Sequence, residues 1–256
     1  MRIAVVTGAS SGIGEATARR LSREGYHVIV VARREERLQA LAADLPSASY
    51  VAVDLLDDDA PQRVRAHLET EHGGPLHLLV NNAGAAWRAT FADGGWENVR
   101  KHMALNFDAQ VRLTEALLPP LRASAPSAIV NVSSTSGRVG RAKSGAYSAS
   151  KFALAGWSDS LFLEERPNRV HVGLVLPGFV ATEGFPQREL VDRPLTRWIV
   201  STPDKVADAI VDTANGRAER YVPRAYWVAA ALRILAPRVV ARANSGTALT
   251  PETTAR

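Results

Sequence analysis

A tyrosine and a lysine stand four residues apart in the segment Tyr147-Ser148-Ala149-Ser150-Lys151. This spacing places both side chains on one face of a helix. A tyrosine with its ordinary pKa of about 10 is a poor proton donor or acceptor at neutral pH. A neighbouring ammonium group stabilises the phenolate, so we expect Lys151 to lower the pKa of Tyr147 into a range useful for acid–base catalysis.

Further polar groups follow strand-like segments at three other points of the chain. Ser134 ends one such segment, thirteen residues before Tyr147, while Asn81-Asn82-Ala83-Gly84 and Pro177–Thr182 follow two others. The carboxyl ends of parallel strands meet at one edge of a sheet, where open α/β sheets bind their ligands. We therefore expect the Ser134 hydroxyl to reach the same carbonyl oxygen as Tyr147, with Ser133 as the alternative hydroxyl.

A glycine-rich turn, Thr7–Gly14, lies directly between the first strand-like run and the first helical pattern. Glycine permits a tight turn and lets the backbone approach a pyrophosphate closely. The N-terminus of the following helix offers N–H groups and the positive end of the helix dipole to phosphates. The turn thus predicts dinucleotide binding, with a plain glycine-rich turn as the alternative. Three residues separate its first two glycines, where the common pattern has one.

Two arginines, Arg33 and Arg34, follow the second strand-like run, which ends at Ala32. Dinucleotide-binding sheets that select NAD(H) usually place an acidic residue near this point to hold the adenosine ribose. A guanidinium group instead binds a 2′-phosphate through paired hydrogen bonds. The sequence therefore favours NADP(H), with NAD(H) as the alternative cofactor. Both arginines also fit the solvated start of a helix.

Short runs rich in Val, Ile and Leu alternate with helical patterns along the chain. Strands are expected at Ile3–Val6, His27–Ala32, Tyr50–Val53, Leu76–Val80, Ala128–Val132 and Val170–Leu176. Helices are expected at Ile13–Arg23, Glu35–Leu45, Pro61–His72, Trp96–Arg122 and Tyr147–Glu165, with Pro119 and Pro120 ending the fourth. The alternation predicts an α/β protein with a Rossmann-type doubly wound parallel sheet of about seven strands and helices on both faces.

The chain is expected to form a single domain over residues 1–243, since no linker, repeat or compositional break occurs before residue 240. Arg220–Pro223 is expected to be a final edge strand, followed by an apolar helix over 225–242 that Pro237 interrupts. This helix either packs over the pocket or a subunit interface, or lies on a membrane surface. Residues 244–256 are expected to be disordered.

The composition excludes several classes of site. The 256 residues include no cysteine, and this length supports a hydrophobic core without disulfides or metal staples. The six histidines form no ligand-like cluster in the sequence, so no metal site is expected. Only four of the 31 basic residues are lysine, and no basic stripe with interleaved aromatic residues predicts a nucleic-acid partner. No apolar run approaches the roughly 18 residues of a membrane span, so a cytoplasmic protein is expected.

From Arg2 to about Thr182, these motifs resemble the classical short-chain dehydrogenase/reductase family. The resemblance implies that Tyr147 is the catalytic acid–base group and that Ser134 polarises the substrate oxygen. It also implies that Lys151 lowers the pKa of Tyr147 and binds the nicotinamide ribose. Asn106 matches the family's catalytic asparagine, which holds a proton-relay water, although it also fits a surface position on a helix.

The resemblance assigns cofactor contacts to the glycine-rich turn, the strand ends and the catalytic pair. These residues are Gly8, Ser10, Ser11, Gly12, Ile13, Gly14, Arg33, Arg34, Asp54, Leu55, Asn82, Ala83, Gly84, Tyr147, Lys151, Pro177, Gly178, Val180 and Thr182. Asp54 would contact the adenine, with helix capping as its alternative role, and Thr182 the nicotinamide carboxamide. Residues 183–200 correspond to the family's variable substrate lid, which excludes water when it closes.

We therefore expect an NADP(H)-preferring oxidoreductase that interconverts a ketone or aldehyde and an alcohol by hydride transfer, with Tyr147 passing the proton. A mostly apolar lid favours a hydrophobic substrate. The arginines of the lid are also compatible with a substrate that bears an anionic group, such as an acyl thioester. The alternatives are a 3-oxoacyl thioester reductase of the same family, a non-catalytic NADP(H)-binding regulator, and a nucleotide-sugar epimerase or dehydratase. The family further implies a homodimer or homotetramer.

Overall fold

Short apolar runs form a seven-stranded parallel sheet in the computed structural model, which describes residues 1–183, 192 and 199–245. In chain order the strands are β1 (Arg2–Thr7), β2 (Tyr26–Ala32), β3 (Ala48–Ala52), β4 (Leu78–Asn81), β5 (Ser127–Val132), β6 (Val170–Pro177), β7 (Phe179–Val180), β8 (Val200–Ser201) and β9 (Glu219–Val222). The sheet has the order β3-β2-β1-β4-β5-β6-β9, while β7 and β8 pair with each other. The predicted doubly wound α/β fold is confirmed.

The strand order reverses between β1 and β4, because the chain first adds strands on one side of β1 and then continues on the other. The two strands pair in parallel, with Ala4 opposite Leu78 and Val6 opposite Val80. Ligands of such sheets bind outside the carboxyl ends of the strands at this switch point. The glycine-rich turn after β1 and the Asn-Asn-Ala-Gly segment after β4 both leave the sheet there.

Helices cover both faces of the sheet. They are α1 (Gly12–Arg23), α2 (Glu35–Asp44), α3 (Ala60–His72), α4 (Phe91–Met103), α5 (Ala109–Ala123), α6 (Gly145–Glu165), α7 (Pro203–Ala214), α8 (Tyr226–Leu235) and α9 (Pro237–Ser245). A π-helical turn, Ala104–Asp108, joins α4 to α5. On one face α1 packs against α7, and on the other α3 packs against α5.

Two hydrophobic layers separate the helices from the sheet. In one layer Leu21 of α1 and Ile210 of α7 pack with Val6, and in the other Leu68 of α3 packs with Val5. Neighbouring residues of a strand point to opposite faces, so Val5 and Val6 of β1 enter different layers. Burial on both faces explains why the strands read as continuous apolar runs.

The long helical region predicted for Trp96–Arg122 is not one regular helix. It begins earlier, at Phe91, and bends at Gly95, whose φ of 51° is non-helical. The π-helical turn then interrupts it before α5. A glycine adopts positive φ without the steric cost that a side chain would bring, so the bend falls at this residue.

The expectation that Pro119 and Pro120 end this helical region is wrong. α5 continues through both prolines to Ala123. Proline removes a backbone hydrogen bond and crowds the preceding turn. Leu117 and Leu121, which flank the prolines, are fully buried, and their packing holds the last turn against the sheet.

The predicted edge strand is confirmed as β9, which pairs with β6 at the end of the sheet. The apolar segment over 225–242 forms two helices, α8 and α9, which separate before Pro237. Packing over the pocket does not account for the outer face of α8. There Trp227, Ile234 and Leu235 are 57%, 76% and 80% exposed.

Two predicted segments lie largely outside the described residues. Of the lid at 183–200, residues 184–191 and 193–198 are not among them, and the predicted tail is described only as far as residue 245. Among the helices that are described, none has the length and apolar character needed to cross a membrane.

Candidate active site

The carboxyl ends of β1, β4, β5 and β6 surround a cavity of about 330 Å³. Most predicted site residues form its wall: Gly8, Ser11, Gly12, Ile13, Asn82, Ala83, Gly84, Ser134, Tyr147, Lys151, Pro177, Gly178, Val180 and Thr182. The other predicted residues lie outside this wall: Ser10, Gly14, Arg33, Arg34, Asp54, Leu55 and Asn106. The end of β5 and α6 therefore bring three of the four candidate catalytic groups, Ser134, Tyr147 and Lys151, to one place.

The glycine-rich turn leaves no room for side chains beside β4. Gly8 has a φ of +66°, and a Cβ atom there would lie 2.9 Å from Nδ2 of Asn82. A Cβ atom at Gly14 would lie 2.2 Å from the Gly8 carbonyl oxygen. Asn82 donates from Nδ2 to the Thr7 carbonyl oxygen at 2.9 Å, which ties the end of β4 to the turn. This bare cradle at the N-terminus of α1 fits a pyrophosphate group.

The two arginines after β2 take different positions. Arg34 donates from Nε to Ser10 Oγ at 3.1 Å and from Nη2 to Ser11 Oγ at 2.6 Å, so its guanidinium group lies against the glycine-rich turn. The Arg33 side chain is 73% exposed, and its Nη1 lies 3.5 Å from Asp54 Oδ2. The sequence left open that both arginines are only solvent-exposed residues at the start of a helix. That description fits Arg33 better than Arg34.

Asp54 lies beside this arginine pair and not in the cavity wall. Its Oδ1 accepts a hydrogen bond from the Leu56 backbone N–H at 3.1 Å. The residue before the first turn of α3 is Asp59, so the alternative in which Asp54 caps that helix is wrong. Leu55, the next predicted contact, is buried in the hydrophobic layer that includes α3.

Tyr147 is part of the first turn of α6 and faces the end of β5. The Ser134 side chain lies close enough to the phenol to lower the pKa of Tyr147, and both residues line the cavity. Ser134 Oγ also accepts from the Ser136 backbone N–H at 3.1 Å. Ser133 instead donates to the Lys151 carbonyl oxygen at 2.9 Å. Of the two serines that the sequence left open, Ser134 is the one that faces the tyrosine.

Burial raises the pKa of Tyr147 above its ordinary value, because the phenolate loses solvation. The nearby Ser134 hydroxyl and the positive charges of Arg141 and Arg88 offset part of this rise in the pKa. The lowering of the pKa that we expected from Lys151 is therefore not what the structure gives. Desolvation of the phenol outweighs the nearby positive charges.

Lys151 is 4% exposed and projects from α6 toward the same strand end. Its Nζ donates to the Val132 carbonyl oxygen at 2.9 Å. A Cβ atom at Gly84 would lie 3.4 Å from this Nζ, so the ammonium group faces the segment after β4. Burial lowers the pKa of Lys151 to about 8, and the group still carries its charge at neutral pH.

Asn106 lies in the π-helical turn and is fully buried, so the alternative of a surface asparagine is wrong. Its Oδ1 accepts from the Ala85 N–H and its Nδ2 donates to the Ala85 carbonyl oxygen, both at 2.9 Å. Nδ2 also donates to Ser150 Oγ at 3.1 Å. Asn106 thereby links α6 to the segment after β4. Irregular π turns inside helices occur frequently at functional sites.

The segment after β6 closes the cavity opposite the glycine-rich turn. A Cβ atom at Gly12 would lie 3.2 Å from Thr182 Cγ2, so the Thr182 side chain lies directly against the glycine-rich turn. A Cβ atom at Gly178 would lie 2.2 Å from Tyr226 Cε2, which shows that α8 packs directly on this segment. Pro177 accepts a hydrogen bond from Ser134 Oγ at 3.4 Å.

Two arginines lie near Tyr147 that no sequence motif identifies. Arg88 is part of the cavity wall, and the guanidinium carbon of Arg141 lies 4.5 Å from the centre of the Phe179 ring. Both charges lower the pKa of Tyr147. They belong to irregular segments after β4 and before α6, where neither periodicity nor a motif marks them. Only the fold brings them together.

Three histidines converge at the amino ends of β2 and β3, away from the cavity. Ser49 Oγ lies 3.1, 2.8 and 3.1 Å from the Nε2 atoms of His27, His67 and His72. The sequence indicated no such cluster, because strand pairing and α3 bring together residues far apart in the chain. Within the described ranges, no group of His, Cys, Asp or Glu is arranged to hold a metal ion.

Known proteins are similar to this chain in sequence and in fold over most of its length. The family model for short chain dehydrogenase matches residues 2–190. A ketoacyl reductase from Nostoc sp. is 31% identical over 216 residues, covering 83% of this chain and 75% of that protein. An NADPH-dependent 1-acyldihydroxyacetone phosphate reductase from Schizosaccharomyces pombe is 35% identical over 183 residues, covering 71% and 61%. A crystal structure of a short-chain dehydrogenase from Streptomyces avermitilis is 30% identical, with a TM-score of 0.80, covering 96% and 99% of the two chains.

Proposed function

The chain belongs to the short-chain dehydrogenase family, and from this premise we propose that it is an NADP(H)-preferring enzyme that interconverts a carbonyl compound and an alcohol. Family membership makes it an NAD(P)(H)-dependent oxidoreductase; the cofactor preference, the catalytic groups and the substrate class are the proposal. The observation that carries it is a single cavity whose wall contains Ser134, Tyr147 and the buried Lys151.

The bound cofactor would supply or accept a hydride at its nicotinamide ring. Tyr147 would donate a proton to the substrate oxygen in the direction of reduction. Its raised pKa keeps the phenol protonated at neutral pH, as a proton donor must be. Ser134, which lines the same cavity as the phenol, would orient and polarise the same oxygen.

Lys151 and Asn106 support the proton donor. The Lys151 ammonium group would bind the nicotinamide ribose, and its charge would stabilise the phenolate once the proton has left. Asn106 connects Ser150, one residue before this lysine, with the segment after β4. It therefore fixes the spacing between α6 and the cavity wall, and a proton-relay water near Lys151 is part of the proposal.

The preference for NADP(H) rests on the positive charges after β2. Arg34 presents a guanidinium group at the serines of the glycine-rich turn, and Arg33 adds a second, exposed one. No acidic residue stands directly after β2, where one would hold a ribose with a free 2′-hydroxyl. The similar protein from Schizosaccharomyces pombe is named as NADPH-dependent, which agrees with this preference.

The substrate is proposed to be a hydrophobic ketone or aldehyde, or the corresponding alcohol. Phe179 and Val180 give the cavity an apolar side. Arg88 in the wall and Arg141 against Phe179 favour a second candidate, a substrate with an anionic group such as an acyl thioester. The similar ketoacyl reductase from Nostoc sp. supports this candidate.

We also propose a homodimer or homotetramer in which a second copy covers the exposed apolar face of α8. Contiguous exposed apolar patches of this kind mark interaction surfaces. Light scattering on the full chain tests this part of the proposal. A monomeric mass contradicts it, and binding of that monomer to lipid vesicles would favour a membrane contact instead.

The experiment that tests the function is a panel of ketones, aldehydes and alcohols incubated with the full chain and NADPH or NADP⁺. The change in NADPH absorbance reports turnover. A non-catalytic regulator would bind NADPH, as measured by fluorescence, and turn over no member of the panel. Turnover of at least one carbonyl compound with NADPH is the expected result.

A further inference from the structure

Three side chains spaced four residues apart along α4 and the π-helical turn contact the backbone of the segment after β4. Asn98 Nδ2 donates to the Trp87 carbonyl oxygen at 3.3 Å, and the Trp87 N–H donates to His102 Nε2 at 3.0 Å. Asn106 completes the row through its two hydrogen bonds with the Ala85 backbone, both at 2.9 Å. The spacing places all three on one helical face.

His102 is fully buried and is held in one tautomer. Because Nε2 accepts from the Trp87 N–H, the ring proton is on Nδ1, which donates to the Asn98 carbonyl oxygen at 2.7 Å. An aliphatic side chain at this position would leave the Trp87 N–H without its acceptor, and an unpaired backbone donor is costly. The centres of the His102 and Tyr147 rings are 6.1 Å apart.

The segment held by this row forms part of the cavity wall. Ala85, Ala86 and Arg88 all line the cavity. At its far end the Ala89 N–H donates to the Lys143 carbonyl oxygen at 3.1 Å, which attaches the segment to the chain just before α6. The row therefore determines how far residues 85–88 stand from the helix that carries the proposed proton donor.

The cofactor side of the same loop is held by other groups. Thr7 Oγ1 accepts from the N–H groups of Asn82 and Ala83 at 2.9 and 3.0 Å. Gln110 Nε2 donates to the Ala83 carbonyl oxygen at 2.7 Å. Loss of the His102 acceptor would therefore loosen residues 85–88 and leave the glycine cradle in place.

We propose that His102, together with Asn98, is a positioning residue for the carbonyl substrate: it holds residues 85–88 at the distance from Tyr147 that the substrate requires. It acts through the Trp87 backbone and touches no reacting atom. The inference rests on the proposed function, because it takes Tyr147 as the proton donor.

Three variants of the full chain test this role. H102L removes the acceptor, whereas H102Q keeps a side-chain oxygen that can accept from the Trp87 N–H. H77L is the matched control, because His77 Nδ1 also accepts a backbone hydrogen bond, from Ile3 at 3.1 Å, at the amino end of the sheet. For each we would measure kcat, the KM for NADPH, the KM for the carbonyl compound of the panel with the highest kcat/KM, and Tm.

In H102L the carbonyl KM is expected to rise about tenfold or more, the effect of leaving a backbone donor unpaired. The KM for NADPH should stay within about twofold of wild type, because the cradle keeps its own hydrogen bonds. In H102Q the KM for the carbonyl compound should return close to its wild-type value. H77L should lower Tm and leave both KM values unchanged.

A pH series on the wild-type protein gives a second readout. Burial lowers the pKa of His102, and protonation would place a hydrogen on Nε2 against the Trp87 N–H. The charged or titratable groups around the ring are Lys101 on α4 and Tyr147 and Lys151 on α6. The carbonyl KM should therefore rise only when the pH falls well below 6.5, the ordinary pKa of an imidazole, and it should do so in the wild type and not in H102Q.

The outcomes separate two failures. If the wild-type protein reduces no carbonyl compound with NADPH, the proposed function fails. If it does, and H102L alters the carbonyl KM no more than H77L or alters the KM for NADPH equally, then His102 has only a structural role and the inference is overturned. The same conclusion follows if H102Q fails to recover the carbonyl KM while it folds with the wild-type Tm.

Discussion

Arg34 contacts Ser10 with two atoms of its guanidinium group: Nε and Nη2 lie 3.1 and 3.0 Å from Ser10 Oγ. Nη2 also donates to Ser11 Oγ at 2.6 Å, so the guanidinium group rests on the glycine-rich turn. Arg33, the first residue after β2, instead extends into solvent. A group fixed at the turn loses less conformational freedom when it binds a phosphate.

We therefore predict that R34A weakens NADPH use more than R33A does. Loss of a charge-assisted contact to the 2′-phosphate should lower the ratio of kcat/KM for NADPH to that for NADH by roughly ten- to a hundredfold. R65A is the matched control, because Arg65 pairs with Glu69 on α3 and shares no partner with Arg34. An unchanged ratio in R34A would remove the cofactor assignment.

Y147F is expected to abolish nearly all turnover and leave NADPH binding intact. Without the phenol hydroxyl no group donates the proton to the substrate oxygen, and general acid catalysis of this kind contributes roughly 10²–10⁴-fold. Steady-state turnover and NADPH fluorescence titration measure the two effects separately. Y221F, in β9, is the control for loss of a tyrosine hydroxyl elsewhere in the fold. Substantial residual turnover in Y147F would argue against this mechanism.

The pKa of Lys151, which burial lowers to about 8, predicts the alkaline limit of carbonyl reduction. The lysine is charged below this pKa, so kcat/KM should fall as the pH rises through about 8 and the ammonium group is lost. K151R keeps its charge at these pH values and should move this limit upward, although the different shape of its side chain will lower kcat. In K205R, on α7, the limit should stay where it is in the wild type. A limit that does not move in K151R would show that another group titrates.

The features predicted from the sequence depend on neighbours in the chain. The turn around Gly8 lies between β1 and α1, and Tyr147 and Lys151 lie on one helix, as their spacing indicates. Such patterns record local geometry directly. The convergence of Ser134 with Tyr147 also followed from topology, because the carboxyl ends of parallel strands share an edge.

The features that could not be predicted depend on contacts between distant segments or on burial. Arg141 lies against Phe179, 38 positions further along the chain, and no motif links them. Whether the pKa of Tyr147 is raised or lowered depends on how deeply the phenol is buried. The four-residue spacing between Tyr147 and Lys151 does not reveal that burial. Burial also explains why the helix does not end at Pro120 as predicted. The buried Leu121 packs against the sheet, and this packing overrides the local effect of proline.

The three histidines around Ser49 predict a loss of stability in acid. A hydroxyl can donate to only one of the imidazoles and must accept from the others. Burial lowers the pKa values of His27, His67 and His72, and for the first two the charge of a neighbouring histidine adds to this effect. The folded-state values therefore lie below the ordinary value of 6.5. As the pH falls below 6.5 the unfolded chain binds protons first, so the free energy of unfolding decreases.

We predict that the double variant H67Q/H72Q reduces this acid sensitivity, because it removes two of the three groups that resist protonation in the folded state. The measurement is the free energy of unfolding in urea at about pH 7.5 and about pH 5.5, for the variant and the wild type. The wild type should lose more stability between the two values than the variant does, even if the variant is less stable at the higher pH. Equal losses would show that the acid sensitivity comes from other groups, since the cluster at Ser49 would then contribute no net proton uptake on unfolding.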